Sequence, residues 1–365
     1  VDARRQRGDA RTGRSAGPNA HAHSGLDPTG GSATGGGPGA VAVAVHAESL
    51  RLVCETRHMT EIAPGCHLID TMLHGRPGLH SALVIEGDNP ALIDVGCQTS
   101  ADAVTDALHA RGIGPDDLAW IVPTHIHLDH AGGTGDLAAR FPRARVVVHP
   151  RGARHLADPA RLVSASHEVY GPLAADYGGL APTPAERIDE APDGHVVPIG
   201  PGRSLRMIEA PGHARHQNAV LDEATGTVHA GDAVGIRLRD AGLVPTLPPA
   251  DVDIQAGQRT IGALAGIGAA HMVLGHFGPV HDIPATLARG AQLLAIAARL
   301  SASTLPSPTG ERIADLMDAE VPLAELTGDA EATAELERLR WYRDNSDGLA
   351  IWASRLGPAR SVATT

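Results

Sequence analysis

Four side chains able to hold a metal ion fall within six residues, in Thr124-His125-Ile126-His127-Leu128-Asp129-His130, directly after the apolar run Leu118 to Val122. A buried strand therefore has to end where the chain can open onto a ligand. If the backbone stays extended there, His125 and His127 project to the same side, because side chains alternate with period two. Asp129 and His130 lie where the chain turns into a helix, aimed at a second ion beside the first. Gly132 and Gly133 permit that turn and a close approach of backbone to ligand. A solvated loop that merely carries charges would not be fed by an apolar strand, and it would not be followed by further isolated ligands at later strand ends.

Such ligands do follow. His213 stands after Ala210-Pro211-Gly212, Asp232 after the run Thr227 to Ala230, and His276 after Met272 to Leu274. The other strands expected before the cluster are Cys66 to Thr71, Ser81 to Glu86 and Ala91 to Val95, with a helix from Ala101 to Arg111 capped by Ser100 and stopped by Gly112. After the cluster the pattern predicts a helix over Asp136 to Arg140, a strand over Ala144 to Val148 and a helix from about Arg151. Residues 160 to 195 read as an irregular stretch, a lid or substrate wall carrying Tyr170 and Tyr177. Strands at Ser204 to Glu209 and Ala219 to Asp222 and a helix from Ile254 to Ala265 come next. Beyond Asp282 the spacing becomes helical, at Ala285 to Leu300, Arg312 to Met317 and Ala330 to Tyr342.

Three regions result: a Gly/Ala/Arg-rich tail over 1–47, expected to be disordered; an α/β domain over 48–284; and a C-terminal helical extension over 285–365 that covers the cleft or forms a homodimer interface. Aromatic residues are 2% of the chain, so its core has to be aliphatic. The net charge is −12, and the tail holds five Arg against three Asp, which leaves −14 on the remainder. Such a surface repels phosphate backbones and argues against a nucleic-acid partner and for a small-molecule substrate. No apolar run reaches the roughly 18 residues of a membrane span, and no secretory h-region is read, so the expected location is cytoplasmic. Cys54, Cys66 and Cys97 form no CxxC pair, which fits a reducing interior and argues against a thiolate site. An imidazole and carboxylate set suits zinc, with iron and manganese as the other options.

The ordered combination of HxHxDH at 125–130, Pro211-Gly212-His213, Gly231-Asp232 and Gly275-His276-Phe277-Gly278-Pro279 resembles the metallo-β-lactamase superfamily over about residues 60 to 282. The resemblance implies an αββα sandwich with two metals at one edge between the sheets. It implies that His125, His127 and His213 hold the first ion, that Asp129, His130 and His276 hold the second, and that Asp232 bridges. Asp94, in Leu92-Ile93-Asp94-Val95-Gly96, matches a position that orients a ligand histidine. His216 and Tyr170 are candidates for support or substrate contact, as are Tyr177, Arg215 and Arg237. His67, His74, His80, His229, His271 and His281 are read as satisfied structural residues.

Two adjacent cations sharing a water bring its pKa from about 15.7 toward neutrality. The expected activity is thus that of a metallo-hydrolase in which this hydroxide cleaves an ester, lactone, thioester or amide, with Asp129 orienting it or taking its proton. The general and lactonase-like members of the superfamily look most similar. Two other readings stay open: an iron-dependent redox enzyme of the persulfide dioxygenase type, and a nuclease of the same superfamily.

Overall fold

The structure, a computed structural model, describes residues 59–239 and 241–356. The tail at 1–47 and the last residues of the extension lie outside the described residues. Two sheets are present. The first runs β1 (Met59–Ala63), β2 (Cys66–Asp70), β3 (Ser81–Ile85), β4 (Ala91–Ile93), β5 (Trp120–Val122), β6 (Arg145–Val148) and β7 (Ile188–Glu190), side by side in chain order. It is antiparallel from β1 to β4 and parallel from β4 to β7. The second contains β8 (Val196–Gly200), β9 (Arg203–Glu209), β10 (Asn218–Asp222), β11 (Thr227–His229), β12 (His271–Leu274) and β13 (Gly278–Pro279) in reverse order across the sheet, with only β11 and β12 parallel.

Side-chain alternation sorts the core into layers. Leu83, Ile85, Ile93, Val122 and Val147 of the first sheet meet Val197, Ile199, Leu205, Met207 and Val220 of the second. Their immediate neighbours Ala82, Val84, Leu92, Ile121, Val146 and Val148 turn the other way, into the larger core that includes the helices. Both faces of β3 to β6 are thus covered, which is why these strands read as continuous apolar runs. The buried residues of the layer between the sheets are aliphatic apart from Cys66 and Met207, with Trp120 of β5 packed against them. Leu83→Ala is expected to cost about 2–5 kcal/mol of stability, through lost burial plus the cavity left between two sheets that cannot collapse together. Urea unfolding monitored by circular dichroism checks this.

The αββα arrangement matches expectation, with element ends shifted by a residue or two. β1, β7, β8 and β13 were not anticipated. Within 160–195, expected to be irregular, helices span Ala160–Tyr170 and Ala174–Tyr177. Ser100 does not cap through its side chain, because a short 3-10 turn over Gln98–Ser100 already puts it in helical geometry, and its hydroxyl meets Cys97 Sγ at 3.2 Å. The helix Ile254–Ile267 is capped instead by Asp253, whose carboxylate accepts the Ala256 amide at 3.0 Å, and the helix Ile283–Ser303 by Asp282 in the same way.

The helices after residue 283 share the core of the sandwich: Leu323, Leu326, Leu336, Leu349 and Trp352 are buried in the same cluster as the strand residues. They also grip the segment 241–248. Thr327 O accepts the Gly242 amide at 2.7 Å, Trp341 Nε1 donates to Pro245 O at 2.8 Å, and Asn345 Oδ1 accepts the Leu247 amide. Among the described residues no helix is long and apolar enough to cross a membrane.

Candidate metal centre

Topology brings the ligands together at one edge. Parallel pairing of β4 with β5 sets Asp94 beside the segment that starts at Thr124, and parallel pairing of β11 with β12 sets Asp232 beside His276. His213 enters from the loop between β9 and β10. All seven residues expected to be ligands converge. His125 Nε2, His127 Nδ1 and His213 Nε2 lie 2.9–3.2 Å from one another. Asp129, His130 and His276 form a second group whose ligand atoms are all within 4.8 Å, and His276 Nε2 stands 3.2 Å from Asp129 Oδ2. Asp232 lies between the groups: one oxygen is 3.3 Å from His130 Nε2, and the other is 3.7 Å from His213 Nε2 and 3.9 Å from His276 Nε2.

The far side of each ring is held. His213 Nδ1 donates to Thr246 O at 3.0 Å, and His276 Nδ1 donates to Leu79 O at 2.8 Å. His130 Nδ1 donates to Asp94 Oδ2 at 2.8 Å, and Thr124 Oγ1 lies 3.0 Å from His125 Nδ1. Such contacts fix each tautomer so that a lone pair faces inward. Asp94 is fully buried in a left-handed conformation at φ 55 and also accepts the Thr124 amide at 2.7 Å and its hydroxyl at 3.1 Å.

The residues fit a metal. Asp129 Oδ1 is buried with no hydrogen-bond partner, and His130 Nε2 and Asp232 Oδ1 are buried with only each other, 3.3 Å apart and outside hydrogen-bond geometry, which is costly unless a cation completes them. Burial and the surrounding imidazoles push His125 and His127 well below the ordinary histidine value, into the neutral form a metal needs. Burial alone would raise Asp129 and Asp232, but His130 and His276 outweigh it and keep both carboxylates ionised. Around His130 burial opposes a proton, yet Asp232, Asp94 and Asp129 overcome it and raise the pKa well above the usual value. The cluster as a whole draws positive charge.

Gly275 makes room for this. A methyl group there would stand 2.5 Å from His130 Cε1 and 3.0 Å from Asp232 Oδ1. Gly275→Ala is expected to lower metal affinity by roughly tenfold to a hundredfold while the protein stays folded, since overpacking costs about 1–3 kcal/mol; the metal-to-protein ratio after dialysis against a weak chelator measures it. Gly132 serves another purpose than the one expected. It is helical, and its closest approaches are to the backbone of Leu128, Cys97 and Gln98 rather than to a ligand.

The remaining candidates divide. His216 Nδ1 accepts the Ile126 amide at 3.3 Å and so props the turn between His125 and His127; burial, with His213 and His149 nearby, pushes its pKa down to about 3. Tyr170 stacks on Tyr177 with ring centroids 4.2 Å apart. Arg237 donates to the carbonyls of Phe277 and Pro279, and Arg215 approaches Asp251 at 3.6 Å. His80, read from the sequence as a satisfied structural residue, does have both ring nitrogens partnered, with Nε2 3.2 Å from His130 Nδ1 and the other 3.1 Å from Thr71 Oγ1, and this sets it against the centre. No spacing in the sequence links His80 to a residue 50 positions away. His74 and His229 depart from that reading, because the Nε2 of each is buried without a hydrogen-bond partner.

Comparison with known proteins agrees with this geometry. Residues 75–276 match the profile of the Metallo-beta-lactamase superfamily. The chain belongs to this superfamily. A metallo-beta-lactamase fold-containing protein, ST1585 of Sulfurisphaera tokodaii, is 30% identical over 182 residues, covering 47% of this chain and 68% of its own. The crystal structure described as that of ST1585 from Sulfolobus tokodaii superposes with a TM-score of 0.59 at 21% identity, over 78% of this chain and 98% of that one. An N-acyl homoserine lactonase of Bacillus thuringiensis is 25% identical over 180 residues, 47% of this chain and 60% of the lactonase. The superfamily fold and the His/Asp groups able to bind metal are therefore both present.

Proposed function

We propose that the chain is a metallo-hydrolase, loaded with two zinc ions, that cleaves an ester, lactone, thioester or amide bond of a small molecule. The observation that carries this is the pair of ligand groups with Asp232 between them and buried carboxylate and imidazole atoms unpaired in their midst. His125, His127 and His213 would hold one ion; Asp129, His130 and His276 would hold the other. Bound divalent ions would supply an acidified water and a Lewis acid for the substrate oxygen.

The protein's own part is positioning. Asp129 is tied to His276 through one oxygen, and the other is free of hydrogen bonds, which leaves it able to orient a water and take its proton. Thr246 O and Leu79 O keep the His213 and His276 rings from swinging, so the lone pairs stay aimed. Likeness to a lactonase supports the ester and lactone choices over phosphoryl transfer. A net charge of −12 supports a small-molecule rather than a nucleic-acid substrate.

Treatment with a strong chelator is expected to abolish turnover of aryl esters and lactones, and zinc to restore it, with elemental analysis returning about two ions per chain. Undiminished turnover in protein stripped of metal would refute the proposal. Iron as the restoring metal, with a visible absorption band and oxygen uptake, would move the reading to redox chemistry.

A further inference from the structure

The chain has three tyrosines, and two of them, Tyr170 and Tyr177, lie face to face with ring planes 6° apart. His74 meets Tyr177 edge-on at 4.7 Å. Tyr177 is buried between these neighbours, whereas Tyr170 is partly exposed. The loop that carries His74 also carries Leu79, whose carbonyl holds His276, and just after Tyr177 the Gly179 amide donates to Gln98 Oε1, two residues on from the Gly96 carbonyl that accepts the Gly133 amide.

The wall is clamped from the C-terminal extension. Arg338, on the helix Ala330–Arg338, donates to His74 Nδ1 at 3.0 Å, approaches Asp176 Oδ2 at 3.4 Å and is anchored by Glu335 Oε1 at 2.8 Å. His74 is held in a left-handed conformation at φ 56, a strained state for a residue with a Cβ. Its Nδ1 is taken by Arg338, and its Nε2 is buried and unpaired. An unpaired buried donor beside a stacked aromatic pair is an arrangement that a ligand completes.

We propose that the outer face of Tyr170 receives a flat, uncharged ring of the substrate, continuing the Tyr177–Tyr170 stack, and that Arg338 holds this specificity wall in place through His74 and Asp176. Arg338 is committed to its partners and leaves no counter-charge for an anionic ring, and the ions this site is built to hold would repel a cationic one. The inference rests on the hydrolase reading for the identity of the site and adds the substrate class.

Phenylacetohydroxamic and cyclohexylacetohydroxamic acids share a metal-binding head and differ only in whether the ring is flat, so calorimetry on zinc-loaded protein isolates the wall. Stacking adds about 0.5–1.5 kcal/mol beyond area burial, so wild type is expected to favour the phenyl compound about twofold to tenfold. Tyr170→Ala should erase the preference and Tyr170→Phe keep it. Tyr170→Leu, which retains apolar bulk, must also erase it and stands in if the alanine variant does not fold. Arg338→Ala should weaken it.

Equal affinity for the two compounds in wild type, or an undiminished preference in Tyr170→Ala or Tyr170→Leu, overturns the stacking proposal; an undiminished preference in Arg338→Ala overturns the clamp. Phenyl preference without any hydrolysis of phenylacetate esters would fell the hydrolase reading alone. Hydrolysis without phenyl preference would fell this inference alone.

Discussion

Asp232→Ala is expected to lower kcat/KM for any ester or lactone the protein cleaves by roughly a thousandfold or more, which corresponds to about 4 kcal/mol of transition-state stabilisation. The reason lies in the position of this carboxylate between the two ligand groups, within 3.3–3.9 Å of His130, His213 and His276. Its loss leaves Asp129 as the one carboxylate among the candidate ligands and removes the negative charge that lies between the two groups. Metal content should fall below that of wild type in the same preparation, and His127→Ala should behave alike, because His127 Nδ1 is one corner of the three-imidazole group. Because residues acting as a unit are not additive, the double variant should be little worse than either single one. Elemental analysis beside steady-state kinetics decides the matter: turnover within tenfold of wild type in either single variant contradicts the assignment.

Asp94→Asn should weaken metal binding about tenfold to a hundredfold without touching a ligand. Asp94 receives three donors on two oxygens: the Thr124 amide, the Thr124 hydroxyl and His130 Nδ1. An asparagine has one oxygen and one NH2 group, so it can serve one side only. If the oxygen stays on Thr124, the NH2 faces His130 and favours the tautomer with its proton on Nε2, the atom that should carry the inward lone pair. Asparagine tolerates the left-handed backbone as well as aspartate does, so the backbone is unchanged and the effect reports on chemistry. Competition with a zinc chelator of known strength measures it. Affinity within twofold of wild type would show that Asp94 has no part in aiming His130.

The residues that converge were legible in the sequence because most of them come just after an apolar strand run, as His125, Asp232 and His276 do, whereas His213 follows Ala210-Pro211-Gly212 and was legible only from its place in the series. The αββα layer order came only from the resemblance of these motifs to the superfamily. What escaped notice lacked a periodic apolar signal. The helix Ala160–Tyr170 buries no residue fully, so no stripe marked it. β7 is an edge strand of Ile188-Asp189-Glu190, with Asp189 paired to Arg145, and its charges read as loop. β13 is two residues long. His80 and His74 escaped because their partners are far along the chain, on the segment that holds His130 and on a helix of the extension.

His125, His127, Asp129 and His130 belong to the first sheet's half of the molecule, and His213, Asp232 and His276 to the second's. A cation bound by both halves works as a latch. With an ion bound there, any thermal parting of the layers would have to break coordination, so ion concentration and resistance to unfolding are expected to be linked. Scarcity of metal would then act twice, by removing the reactive centre and by loosening the scaffold that would recapture it.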